Sequence, residues 1–138
     1  MELLVNIDVD DLERAVAFYV AGFALEVSRR FGDDGVELTG ASSKIYLLRK
    51  GAGSAPADGV AARDYRRHWT PVHVDFVVDD VAAAVARAVA AGATLERPIA
   101  TYSWGTIAGL ADPFGHGVCI LQFSARGYDA IATPVSRP

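Results

Sequence analysis

The chain has 138 residues, 51% of them hydrophobic, which is enough for one packed domain and too apolar for a disordered one. Its 13 basic and 17 acidic side chains leave a net charge of −4, with 9 basic against 11 acidic residues in 1–68 and 4 against 6 in 69–138. That even balance excludes the basic stripe of a broad nucleic-acid footprint. The single cysteine, Cys119, excludes an intrachain disulfide and suits a reducing compartment. The opening MELLVNIDVDD is short and acidic for a signal peptide, and no apolar run approaches the roughly 20 residues that span a bilayer. The expectation is a cytoplasmic protein with neither a nucleic-acid nor a membrane partner.

Residues 3–9 are apolar and β-branched, as strands are. Asp10 or Asp11 then offers a helix N-cap, and Asp10 with Glu13 has the spacing of a capping box. Leu12, Ala15, Val16, Tyr19, Val20 and Phe23 share one helical face, and Gly22 is placed to end the helix. Three short strands follow near 24–31, 35–39 and 44–49, turning at Asp33-Asp34-Gly35. Residues 50–70 begin as a Gly/Ala/Ser linker and end in the Arg/aromatic cluster RDYRRHW. A strand over 72–78 leads to Asp79 or Asp80 as the second N-cap. A second helix with Val81, Ala84, Val85, Ala88 and Val89 on one face stops at Gly92. Strands near 94–98, 103–110 and 117–123 complete the pattern, with Asp112-Pro113-Phe114-Gly115 as a turn. Residues 124–138, with Gly127, Pro134 and Pro138, read as a loosely packed tail.

The two halves are copies. LVNIDVDDLERAVAFYVA from Leu4 lies over HVDFVVDDVAAAVARAVA from His73 without a gap, with 9 identities in 18 positions. A one-residue insertion then brings Gly22, Leu25 and Glu26 onto Gly92, Leu95 and Glu96. The unit is βαβββ, present twice: residues 1–50, a linker over 51–70, residues 71–123, and the tail.

The stretches DVDDLERAVAFYVAGFALE, HVDFVVDDVAAAVARAVAAGATLERP and ADPFGHGVCILQF resemble the vicinal oxygen chelate superfamily. That group includes glyoxalase I, bleomycin- and fosfomycin-resistance proteins and extradiol dioxygenases. The resemblance implies an α+β fold. Two tandem βαβββ modules would form a cupped, partly open mixed β-sheet barrel with helices on the outside, commonly as a homodimer. It also implies that metal-using members take one ligand from the first strand and one from the last strand of each module. Those positions here are Leu4 and His73, then Tyr46 and Cys119. Leu4 cannot ligate and Tyr46 is a rare ligand. A catalytic ion needs about three protein donors, so no metal cofactor is expected. A displaced set of His73, Asp75 and Asp8 is the alternative.

The expected pocket residues are Leu4, Asn6, Tyr46, His73, Asp75, Trp104 and Cys119. Asn6 and Asp75 alternate inward with Leu4 and His73, and Trp104 in TYSWGTIAG would form an aromatic wall. No catalytic residue is assigned. Two functions follow. One is metal-free capture of a small organic molecule. The other is a glyoxalase-like lyase, isomerase or dioxygenase using a divalent ion at a non-standard site.

Overall fold

The computed structural model describes residues 1–135. Strand β1 (Val5–Val9) leads into helix α1 (Leu12–Phe23), then β2 (Glu26–Phe31), β3 (Gly35–Thr39) and β4 (Ile45–Arg49). The second module repeats this as β5 (Val74–Val77), α2 (Val81–Ala91), β6 (Thr94–Tyr102), β7 (Gly105–Ala111) and β8 (Gly117–Phe123). The strand orders are β1-β4-β3-β2 and β5-β8-β7-β6, with the first and last strand of each module parallel and the rest antiparallel. The fold is α+β, two βαβββ modules in tandem. Its two mixed sheets do not close into a barrel.

Period-two alternation sets the two faces of each sheet. Val9, Val36, Leu38, Ile45 and Leu47 of the first sheet, and Ala108, Leu110, Val118 and Ile120 of the second, join the buried faces of both helices in one core. The opposite faces carry Asn6, Glu37 and Tyr46 in one module and Asp75, Gly109 and Cys119 in the other. Helix α1 packs on α2, where a Cβ at Gly22 would lie 3.3 Å from Ala91 Cβ and 3.4 Å from Ala88 Cα. Gly22 therefore serves helix–helix approach rather than the stop that its position in the sequence suggests. The stop falls on Ala24, in the left-handed region at φ 55°.

The N-caps are Asp11 and Asp80, whose side chains accept from the amides of Arg14 and Ala83. The capping box expected of Asp10 and Glu13 does not form. Glu13 instead pairs with Arg30 on β2. In the second module the stop is Gly92, as expected. Helix α1 has 12 residues and α2 has 11, so the second copy is one residue shorter after the helix, not one longer. Strand register agrees: Val27 faces Leu38 as Leu95 faces Leu110, and Arg29 faces Glu37 as Arg97 faces Gly109. The identities of Leu25 with Leu95 and Glu26 with Glu96 are out of structural step by two residues.

The Asp112-Pro113-Phe114-Gly115 turn joins the modules. Buried Asp112 accepts from the amides of Phe114 and His116 through Oδ1, and from the Tyr19 hydroxyl through Oδ2 at 2.7 Å. Part of the expected tail packs onto the second module. Residues Gly127–Ala130 form a 3-10 turn, with Tyr128 against Phe123 and Trp104. Pro138 lies outside the described residues.

Candidate functional site

Ladder register aligns one row of inward side chains across each sheet. In the first module the row is Asn6, Tyr46, Glu37 and Arg29. In the second it is Asp75, Cys119, Gly109 and Arg97. Both arginines follow a register shift, with Ser28 or Glu96 as the extra residue.

The first row is filled by its own side chains. Glu37 is 2% exposed. Its carboxylate accepts from Arg29 Nε at 2.9 Å, from Arg29 Nη2, from Ser28 Oγ at 2.6 Å and from the Tyr46 hydroxyl at 2.6 Å. These bonds, Arg29 first, hold the Glu37 carboxyl far below the usual carboxylate range. The same carboxylate, with burial, pushes the Tyr46 phenol up. Tyr46 therefore keeps its proton and donates it to Glu37.

The second row lacks the central carboxylate. Gly109 replaces the glutamate, and a Cβ there would lie 2.5 Å from Arg97 Nε. The Arg97 guanidinium therefore lies down on the strand, with Nη2 donating to Cys119 Sγ at 3.3 Å. Trp69, from the end of the linker, covers Gly117, whose Cβ would lie 2.7 Å from the indole. The indole centroid is 5.0 Å from that of His73 and 6.0 Å from the Arg97 guanidinium carbon. His73 Nε2 is 3.1 Å from Asp75 Oδ1. Burial first, then the Asp75 carboxylate, pushes the Cys119 thiol up, so Cys119 is a poor nucleophile in this state.

His73, Asp75 and Cys119 each place a donor atom within 4.8 Å of the others. In number and type this trio fits a borderline-soft divalent ion such as zinc. The raised thiol and the Arg97 cation beside it oppose ligation. Asp8, the third member of the expected displaced set, is instead paired with Arg63 at 2.8 Å.

Leu4, Asn6 and His73 line a cleft of about 690 Å³ between the modules, together with Tyr19, His68 and His116. His68 and His116 are linked ring to ring at 3.1 Å, and their outer nitrogens meet the carbonyls of Arg66 and Asp8. The pair thereby pins the linker and the 112–115 turn to β1. Trp104 stands elsewhere, in the β6–β7 hairpin turn, stacked on Tyr102 at 5.7 Å. The structure thus brings His73, Asp75 and Cys119 together, sets Leu4 and Asn6 beside them along the cleft, and separates Tyr46 and Trp104. Arg97, Gly109 and Glu37 escaped the sequence reading, and Trp69 stood in it beside Tyr102 and Trp104 as an aromatic flanking the second module, with Trp104 preferred as the wall. The equivalence of Arg29 and Arg97 shows only in the ladder register.

The family model for a glyoxalase-like domain matches residues 4–121. The chain belongs to that family. An uncharacterized protein of Mycobacterium bovis is 35% identical to it over 113 residues, 78% of this chain and 74% of that protein. A glyoxalase-related enzyme from Fulvimarina pelagi superimposes with a TM-score of 0.71 at 23% identity, over 92% of this chain and 94% of its own. A lactoylglutathione lyase from Agrobacterium tumefaciens does so with a TM-score of 0.62 at 20% identity, over 88% and 92%. At those identities the two structures establish the fold of this glyoxalase-like protein and not its chemistry.

Proposed function

We propose that this glyoxalase-like protein binds a small organic molecule at the concave face of its second module, without needing a catalytic metal. The observation that carries the reading is the contrast between the two rows. The first is neutralised and filled by Glu37, and the second has a glycine there, roofed by the Arg97 guanidinium with no carboxylate to close it. The hollow lined by Arg97, Gly109 and Trp69 holds about 280 Å³, at the lower edge of the roughly 300–1,000 Å³ typical of small-molecule sites, and Val118 lines both it and the larger cleft of about 690 Å³. A second copy of the chain is the expected partner, with Leu4, Trp69 and Val77 among the exposed large apolar side chains it could cover.

The second reading is a metal-assisted lyase, isomerase or dioxygenase, which the His73–Asp75–Cys119 trio favours. An ion held there would supply Lewis-acid polarisation of a substrate oxygen. Elemental analysis and native mass spectrometry of protein purified without added metal separate the two. Less than stoichiometric ion, with a retained ligand or melting-temperature shifts across a small-molecule panel, supports capture. One tightly held zinc, manganese, nickel or iron per chain, lost together with turnover in His73→Ala, would replace it with the enzyme reading.

A further inference from the structure

Arg97 carries an exposed charge that no carboxylate pairs with directly. Among the described residues, no ion pair within 4.0 Å includes it, although its counterpart Arg29 makes one with Glu37. Its one side-chain hydrogen bond there is to a sulfur, a weak acceptor. The nearby acids are engaged elsewhere, Asp75 with His73 and Glu96 with Arg67.

We infer that Arg97 recognises a carboxylate on the small molecule held in this cup; the inference rests on the capture reading above. The template lies within the chain. In the first module the same ladder position carries an arginine fork closed by a carboxylate, with Nε and Nη2 each on one oxygen of Glu37. The second module keeps the arginine and deletes the carboxylate, so the matching group has to come from outside. A guanidinium fork reads two coplanar oxygens and carries a permanent charge, which selects a carboxylate over a neutral or cationic group. The Trp69 face beside Arg97 and His73 adds a flat apolar wall, which favours an aromatic or otherwise planar acid.

The test titrates the full chain with acetate, benzoate and phenylacetate, and with the neutral amide of each, by calorimetry and tryptophan fluorescence. An aromatic acid is expected to bind more tightly than acetate and at least about tenfold more tightly than its amide. Arg97→Met is expected to cost that acid about tenfold or more and to leave its amide unaffected.

Gly109→Glu rewrites the second row on the plan of the first. Gly109 is not among the glycines with positive φ, and its Cβ would meet the flexible end of Arg97. This variant is expected to melt higher while losing acid binding, a combination that misfolding does not produce. Equal binding of acids and amides, or unchanged acid affinity in Arg97→Met, overturns carboxylate recognition and leaves small-molecule capture standing. Failure of every acid to bind up to its solubility limit also overturns the inference, and a panel screen then judges capture on its own.

Discussion

Glu37 and Cys119 show how one residue's surroundings set its chemistry. Glu37 is charged and buried, and four donor atoms on Arg29, Ser28 and Tyr46 hold it there. Its folded pKa lies below the ordinary 4.5, so its contribution to stability is complete above that pH and is lost as pH falls toward the lowered folded value. Glu37→Gln is expected to melt lower at neutral pH and to lose less stability on acidification below pH 4.5, measured by urea melts across pH. Cys119, at 1% exposure, has its thiol raised by burial and by Asp75. Iodoacetamide is expected to label it at least about tenfold more slowly in native than in denatured protein. Fast native labelling would contradict the packed, protonated thiol.

At the scale of elements, the contacts that join one unit to the next matter most. The Tyr19 hydroxyl crosses from α1 to Asp112 in the β7–β8 turn, where both groups are buried. Tyr19→Phe removes the donor and leaves Asp112 Oδ2 short of a partner, so it is expected to cost about 1–3 kcal/mol in chemical denaturation. Gly22 lets α1 approach α2, since a hypothetical Cβ would lie 3.3 Å from Ala91 Cβ and 3.4 Å from Ala88 Cα, closer than comfortable contact. Gly22→Val is expected to lower stability by about 1–3 kcal/mol through overpacking, despite the better helix propensity of valine. Gly22→Ala is expected to cost less, because its single methyl needs a shift of only a few tenths of an ångström.

For the whole molecule, the buried side chains of both modules form one cluster, with Phe18 and Tyr19 of α1 in the same core as Ala88 of α2 and Phe114 of the turn. The halves are therefore expected to unfold together. Amide exchange at Leu38 in β3 and Ile120 in β8 should report one opening free energy, and Tyr19→Phe should lower both equally. Protection lost in one sheet while the other is retained would show two independent folding units.

The sequence alone determined the duplicated βαβββ plan, because helix and strand periods, aspartate caps and turn residues are local signals that need no knowledge of neighbours. It also determined that Leu4, Asn6, His73 and Asp75 share a strand face, since alternation fixes that. Only the tertiary structure decided what those faces meet. The helix of the first copy runs one residue further, which puts the β2–β6 equivalences two residues away from the apparent identities. It follows that Arg97 answers to Arg29, and that a glycine stands where the first sheet has its buried glutamate. Cross-strand register depends on long-range pairing, which no local pattern encodes. For the same reason Trp69, not Trp104, came to lie beside His73: the linker folds back over the second sheet, where Gly117 leaves room for an indole.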